Sequence, residues 1–207
     1  KKGVSANQLK RSLKVQYRTA WYLCHRIRAA LETPHALLTG IVEVDETFIG
    51  GRKRNRGRGK YAREKTMILG AVERGGKVGM KIAPDRKSKT FREFIKEHIA
   101  DDAEFIYTDE NITYGNLSDD NTTHETVNHS KLEWVRGEVH TNSIEGVWSL
   151  FKRSIVGSYH KISVKHLDRY IDEFEYRYNN RGNPFIFRDA IKELLTAGQL
   201  QYKELVA

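Results

Sequence analysis

The sequence predicts a mixed α/β fold in which helices cover a sheet. Three short runs rich in β-branched residues follow one another from residue 41. A helical run and a fourth strand-like run come next, and the C-terminal third repeats its apolar residues at helical spacing. With 207 residues, 39% of them hydrophobic and 30% charged, the chain is long enough to bury a core and too apolar to be disordered. No apolar run approaches the ~18 residues that a membrane-spanning helix needs, so we expect no membrane partner.

Residues 4–31 predict two helices separated by a short break at Lys14 and Val15. The second helix has an apolar stripe at helical spacing, formed by Ala20, Trp21, Cys24, Ile27 and Leu31. Its polar side is formed by Gln16, Arg18, His25, Arg26 and Arg28. This pattern is typical of a helix-turn-helix that binds DNA. We predict that role for residues 1–31, with Arg18 and Arg26 in contact with DNA; a segment that only packs against the rest of the chain is the alternative.

Residues 32–40 are predicted to form a linker, and residues 41–207 a single domain with C-terminal helices. Strands are predicted at 41–50, 66–74, 77–84 and 104–110, with a further short strand around 124–130. A crossover helix is predicted at 88–99, and terminal helices at 141–156, 163–180 and 184–197. Three adjacent strands imply an antiparallel meander. The order of the elements matches a mixed sheet of the RNase H-like fold.

The chain carries 36 Lys and Arg against 27 Asp and Glu, a formal net charge of +9 that favours a polyanion such as nucleic acid as partner. Residues 51–65 concentrate this charge, with eight Lys or Arg and three Gly among fifteen residues. Glycine lets such a loop follow an irregular surface while its basic side chains reach phosphates. The side chains that we expect on DNA are Arg52, Lys53, Arg54, Arg56, Arg58 and Lys60. A solvated surface hairpin is the alternative.

Two aspartates lie in predicted strands. Asp45 lies inside the first strand, on the same face as Glu43, and Asp109 lies near the end of the strand at 104–110. Burying a carboxylate without a partner is costly, and a divalent cation is one reason for placing it there. Side by side, the two strands would direct both carboxylates at one point. Acids that cap turns at strand ends are the alternative.

The helix predicted from residue 141 supplies a third acid. At about 100° per residue, its apolar residues Ile144, Val147, Trp148, Phe151 and Ile155 share one face. Asn142, Glu145, Ser149 and Lys152 share the adjoining face. Oxygen ligands from Asp45, Asp109 and Glu145 would suit hard Mg²⁺ or Mn²⁺ ions. Two such ions about 4 Å apart would clamp both reacting oxygens of a phosphoryl transfer, and Lys152 would hold DNA near the scissile bond. An ordinary amphipathic helix is the alternative.

Several motifs together resemble the ISXO-type insertion-sequence DDE transposases, relatives of the eukaryotic Merlin elements. They are VEVDETFIGG, YTDE, NHS at 128–130, HTNSIEGVWSLFKR, and DEFEYRYNNR at 172–181. The resemblance implies an RNase H-like catalytic domain that nicks transposon ends with water and then joins the freed 3′-hydroxyl to target DNA. It implies Asp45, Asp109 and Glu145 as the catalytic acids and Lys152 as the basic residue that follows them. Asn142 either shares the metal site or replaces Glu145 in it.

The same resemblance implies double-stranded DNA as partner, both as transposon ends and as target, and a homodimer or larger assembly on it. Arg153 joins Lys152 among the expected DNA contacts. The family usually carries a Cys-rich zinc ribbon; either it lies before Lys1 or this protein lacks it. A single cysteine, Cys24, and the lack of an apolar leader predict an intracellular protein, in the cytoplasm or nucleoid of a bacterium or the nucleus of a eukaryote.

Two other functions remain open from the residues. One is a transposase-derived DNA-binding protein without catalysis, which would use the helix-turn-helix and the basic run alone. The other is a metal-dependent nuclease or resolvase of the same fold. The first would bind DNA with steep salt dependence and never cut it, and the second would cut DNA without joining the 3′-ends to new DNA.

Overall fold

The computed structural model describes residues 3–32, 34, 36–50, 65–109, 122–127 and 136–207, and it confirms the mixed α/β fold. The strands are β1 (Ile41–Ile49), β2 (Thr66–Glu73), β3 (Val78–Ala83), β4 (Phe105–Asp109) and β5 (Thr123–Val127). The helices are α1 (Ala6–Leu13), α2 (Tyr17–Ala30), α3 (Ser88–His98), α4 (Asn142–Ser154), α5 (Leu167–Asn179), α6 (Ile186–Thr196) and α7 (Tyr202–Val206). A π-helical turn, Ile155–Tyr159, continues α4.

In this part of the chain the sheet has five strands in the order β3-β2-β1-β4-β5. β1, β2 and β3 form the predicted antiparallel meander, whereas β4 pairs in parallel with both β1 and β5. A parallel neighbour requires a crossover connection, and α3 supplies it between β3 and β4. This strand order, with its mixture of directions, is that of an RNase H-like sheet and confirms the predicted fold class.

The two faces of the sheet are covered by different helices. On one face, Val42 and Val44 of β1 lie in a core that also contains Phe91 and Phe94 of α3. Alternation along the strand places Glu43 and Asp45 on the other face, where the ring of Trp148 from α4 lies against Gly70 of β2. The predicted acidic side of β1 is therefore the side that carries α4.

The segment before β1 contributes to this core. Leu38, inside the predicted linker 32–40, is 1% exposed and packs with the α3 side of the sheet. Its backbone N–H donates to the carbonyl of His98, and its carbonyl accepts from Ala100. The second half of this segment is thus fixed to the sheet by an apolar side chain and two hydrogen bonds.

The N-terminal helices confirm the predicted pair, with Lys14 in the left-handed conformation at the break between them. The prediction that His25 and Arg28 lie on the polar side of α2 is wrong. They are 0% and 4% exposed, whereas Ile27, which we expected in the apolar stripe, is 43% exposed. The helix is rotated because it packs against α5, where Glu173 supplies a counter-charge for Arg28 at 2.7 Å. Burial, with nearby positive charges, lowers the pKa of His25 to about 3, so this side chain is neutral.

The chain divides into two compact units, Lys1–Pro34 with Ser149–Ala207 and His35–Trp148. The terminal helices therefore group with the N-terminal pair, because α2 packs against α5 and α6. The division into 1–31, 32–40 and 41–207 stays a prediction. Within the described ranges, no helix is long and apolar enough to cross a membrane.

Candidate active site

Asp45 and Asp109 lie on neighbouring parallel strands. The β1–β4 ladder pairs Glu43 with Tyr107, and continuing this register by two residues brings Asp45 level with Asp109. Adjacent strands are about 4.8 Å apart, and alternation places both aspartates on the face that carries α4. Both residues are partly exposed. The structure thus brings these two predicted site residues together.

The carboxylate of Asp45 is held by α4. The indole Nε1 of Trp148 donates to Asp45 Oδ2 at 2.9 Å. The ring reaches this position because residue 70, which pairs with Asp45 across β1 and β2, is glycine. A Cβ atom at Gly70 would lie 2.5 Å from Cη2 of the indole. The absence of a side chain on β2 therefore permits a hydrogen bond between α4 and β1.

The electrostatic environment of Asp45 favours its neutral form while no cation is near. Burial is the largest cause that raises its pKa to about 7, and the negative charges of Glu46 and Asp109 raise it further. Hydrogen bonds from the backbone of Glu46 and from Trp148 act in the opposite direction. A divalent cation would remove this penalty, since it would pair with both carboxylates at once. Oxygen ligands are also those that Mg²⁺ and Mn²⁺ prefer, so the donor chemistry of these two carboxylates fits such an ion.

Glu145 and Asn142 lie in the first turn of α4 and are exposed. The apolar residues of the helix, Ile144, Val147, Trp148 and Phe151, are all at most 4% exposed, as the helical pattern predicted. Glu145 lies three residues before Trp148, so the two side chains are neighbours on the helix surface. Among the described residues, however, no three His, Cys, Asp or Glu side chains form a group that could hold a metal ion. The structure thus places Glu145 on the helix that contacts Asp45, but not in one ligand group with both aspartates.

The predicted DNA-contacting residues fall into two sets. Lys152 and Arg153 are exposed in the last turn of α4, and Arg18 and Arg26 are exposed on α2. The guanidinium of Arg18 lies 4.1 Å from the ring centre of Tyr202. The basic side chains Arg52, Lys53, Arg54, Arg56, Arg58 and Lys60 lie outside the described residues, as does the NHS motif at 128–130.

Sequence reasoning missed a second acidic contact with α4. Glu43 is fully buried, and its carboxylate accepts from the backbone N–H groups of Ser143 and Ile144. Arg74 and His140 also lie against this carboxylate. The available signal was the position of Glu43, two residues before Asp45 and on the same face of a strand. Nothing in the sequence pointed to Arg74, which the sequence placed at the end of the strand predicted at 66–74 and which follows β2 in the structure.

Comparison with known proteins identifies relatives over most of the chain. A family model described as the ISXO2-like transposase domain matches residues 37–179. A protein of Halobacterium salinarum, described as an uncharacterized protein in transposable element ISH50, is 31% identical over 209 residues, which cover 92% of this chain and 68% of that protein.

Two solved structures also align with the chain. The HTLV-2 integrase catalytic core domain in complex with magnesium (dimeric form) aligns with 69% of this chain and 86% of its own, at 17% identity and a TM-score of 0.37. The simian T-cell lymphotropic virus intasome in complex with PP2A regulatory subunit B56 gamma aligns with 79% of this chain and 60% of its own, at 13% identity and a TM-score of 0.41. Since the family model covers residues 37–179, more than half of the sequence, the chain belongs to the ISXO2-like transposase family.

Proposed function

We propose that this chain is a DNA transposase that nicks the ends of its element hydrolytically and joins the freed 3′-hydroxyl to target DNA. The observation that carries the proposal is the β1–β4 register, which when continued by two residues brings Asp45 level with Asp109 on the sheet face covered by α4, the helix of Glu145. Membership of the ISXO2-like transposase family supports the reaction class. The net charge of +9 supports DNA as the substrate.

The acidic residues are the ligands that we propose for two Mg²⁺ or Mn²⁺ ions. Asp45, Asp109 and Glu145 would supply carboxylate oxygens, and Asn142 would add an amide oxygen or replace that of Glu145. We favour Glu145, because an anionic oxygen binds Mg²⁺ better than an amide. When bound, such ions stabilise charge on the attacking and leaving oxygens of the phosphodiester and activate water as nucleophile.

The other residues of the site orient these groups and the DNA. Trp148 holds the Asp45 carboxylate in one orientation through its indole N–H. Lys152 and Arg153, exposed at the end of α4, provide positive charge for DNA phosphates. The exposed arginines of α2 and the basic run 51–65 add sequence-independent affinity. Because two element ends have to be processed together, we expect a homodimer or larger assembly on DNA inside the cell.

Substitution of the two aspartates tests the reaction. Asp45→Asn and Asp109→Asn keep the side-chain shape but remove the charge that holds a cation. We expect each to lower Mn²⁺-dependent cleavage and joining of end DNA by at least about 10³-fold, while the Kd for DNA stays within about threefold. Asp101→Asn, an exposed acid in the turn before β4, is the matched control and should retain full activity.

Three outcomes would contradict the proposal in different ways. Full activity of both aspartate variants would remove the catalytic role of the pair. A wild-type protein that binds DNA and never cuts it would be a DNA-binding protein derived from a transposase. Cleavage without joined products would indicate a nuclease of the same fold.

A further inference from the structure

Glu43 is a buried acid that contacts the beginning of α4. Its Oε2 accepts hydrogen bonds from the backbone N–H groups of Ser143 at 2.7 Å and Ile144 at 3.0 Å. The first amides of a helix have no acceptor within the helix. They are usually satisfied by the side chain of the residue just before it. Here a residue of β1 satisfies them, and its negative charge also suits the positive end of the helix dipole.

A second set of contacts holds Glu43 itself. Its Oε1 accepts from Arg74 Nε at 2.7 Å, and His140 Nδ1 lies 3.3 Å away. Arg74 also donates to the carbonyl oxygens of Glu138 and His140, in the segment that leads into α4. Its guanidinium lies 4.9 Å from the ring centre of Tyr107 in β4. The Glu43 carboxylate thus links β1 to Arg74, which follows β2, and to the segment that precedes α4.

The contacts of Glu43 and Asp45 fix α4 at two points. Two residues of a strand span about 6.6 Å, and the four residues from Ile144 to Trp148 rise about 6 Å along a helix. The spacing of Glu43 and Asp45 on β1 therefore matches that of their partners on α4. Two attachments at matched spacing fix both the position of the helix along its axis and its rotation. Glu145 lies between them.

We infer that Glu43 is a positioning residue, which seats the first turn of α4 on β1 and so sets where Glu145 lies relative to Asp45. This inference rests on the proposed function, since it concerns the same site. Residues that orient metal ligands without touching the metal typically change its affinity by about 10- to 100-fold when they are mutated. A buried acid that only stabilised the fold would not have this effect.

The test compares Mn²⁺ binding and catalysis in the full chain. Glu43→Gln keeps the volume of the side chain but removes its charge. We expect it to weaken Mn²⁺ binding, measured by calorimetry, by about 10-fold. It should lower the kcat of end cleavage while the KM for DNA stays within about twofold. In a Glu145→Gln background, Glu43→Gln should weaken Mn²⁺ binding no further, because the two residues act through one ligand.

Glu173→Gln is the matched control. Glu173 is also a buried acid, paired with an arginine at 2.7 Å, but it lies in the other compact unit. This variant should lower the melting temperature and leave Mn²⁺ affinity within about twofold. A loss of Mn²⁺ affinity equal to that of Glu43→Gln would show that general destabilisation is the cause, and it would overturn the inference.

Other outcomes separate the two proposals. Suppose that the wild-type protein binds Mn²⁺ and cuts DNA. If Glu43→Gln then has the Mn²⁺ affinity of the wild type, or if it weakens Mn²⁺ binding in the Glu145→Gln background as much as it does alone, only the role of Glu43 is overturned. If the wild type neither binds Mn²⁺ nor cuts, the proposed function fails. If Glu43→Gln does not fold, hydrogen exchange of the wild-type protein provides the test. If Glu43 seats α4, the backbone amides of Ser143 and Ile144 should be as protected as those in the middle of the helix. Rapid exchange at both amides would overturn the seating of α4 by Glu43.

Discussion

Gly70 illustrates how one missing side chain shapes the candidate site. It pairs with Asp45 across β1 and β2, and a Cβ atom there would lie 2.5 Å from Trp148 Cη2. Gly70→Ala should therefore push the indole off the sheet and weaken its hydrogen bond to Asp45. We expect the free energy of unfolding to fall by about 1–3 kcal/mol, as for other overpacked cores, and end cleavage to fall with it. Urea denaturation and a cleavage assay measure the two effects.

The control for this change is Gly146→Ala on α4. Apart from its chain neighbours and the backbone of its own helix, no atom of the described residues lies within 4 Å of a Cβ atom at this position. Alanine is the better helix former, so the variant should be more stable by about 0.5–1 kcal/mol. A Gly70→Ala protein as stable as the wild type would show that the indole does not need the space above β2.

Asp172 on α5 makes stability depend on pH. Burial is the largest cause that raises its pKa from 3.8 to about 7, with the charges of Glu32 and Asp168 adding to it. Between these two pKa values the unfolded chain releases the proton and the folded chain keeps it. The contribution of Asp172 to the free energy of unfolding therefore falls as pH rises from about 4 to about 7, and then levels off.

Asp172→Asn cannot ionise, so the variant should not show the fall in the free energy of unfolding that ionisation of Asp172 causes. The variant should match the wild type near pH 4 and exceed it by about 1–2 kcal/mol near pH 8. This gain is smaller than the full shift implies, because the carboxyl is only partly buried and water screens its charge. Urea denaturation at both pH values measures the difference. An advantage that grew toward acidic pH would contradict the sign.

Among the elements, α2 carries two arginines with opposite surroundings. Arg28 is buried, donates to Glu173 at 2.7 Å and lies 4.0 Å from the ring centre of Tyr170. Arg26, two residues earlier, is exposed. Arg28→Ala should lower the free energy of unfolding by about 3 kcal/mol, the low end for a broken buried pair, because the Glu173 carboxylate keeps its contacts with Tyr159 and Arg177. DNA binding by the folded fraction should be unchanged.

Arg26→Ala is its matched counterpart. We expect its stability to stay within about 0.5 kcal/mol of the wild type. Its DNA affinity should fall, and the dependence of log K on log salt should become shallower by about 1. Thermal unfolding and binding titrations at several salt concentrations measure both. Unchanged DNA binding would favour the alternative in which residues 1–31 only pack against the chain.

Local periodicity was sufficient to predict the strands and the helices α1 to α6, but it missed α7 and did not give the rotation of the helices. The crossover helix predicted at 88–99 is α3, Ser88–His98, and the strand at 104–110 contains β4, Phe105–Asp109. Periodicity placed Ile27 inside and Arg28 outside, and both assignments were wrong. The partner that makes burial of Arg28 tolerable is 145 residues away in sequence. An ion pair between residues so far apart in sequence cannot be predicted from the residue pattern of α2 alone.

At the scale of the molecule, the site could be predicted as far as it depends on strand pairing. The positions of Asp45 and Asp109 in two strands predicted that they meet, and the β1–β4 register agrees. The contacts of Glu43 and Trp148 depend on how α4 packs on the sheet, so they could not be predicted from the residue types. In the sequence, Trp148 looked like an ordinary core residue of an amphipathic helix, and Glu43 looked like an acid that only flanks Asp45. The metal-binding roles of the three acids and of Asn142 stay predictions.

The net charge of +9 belongs to the whole molecule, but much of it is concentrated in residues 51–65. This concentration allows a test that separates local contact with DNA from a general positive field. One variant replaces Arg52, Arg54 and Arg56 with Gln. The matched control replaces Lys77, Arg92 and Lys96, which are exposed in the described part of the chain, so both variants lose the same charge.

If residues 51–65 bind phosphates, only the first variant should bind DNA with a shallower salt dependence. The slope of log K against log salt should change by about 0.9 for each lost contact, while thermal unfolding stays unchanged. A general field would instead lower the affinity of both variants by similar amounts, since it depends on total charge and not on position. Equal slopes of log K against log salt in the two variants would therefore show that residues 51–65 act only through long-range attraction. The direct DNA contacts would then have to come from α2 and the end of α4.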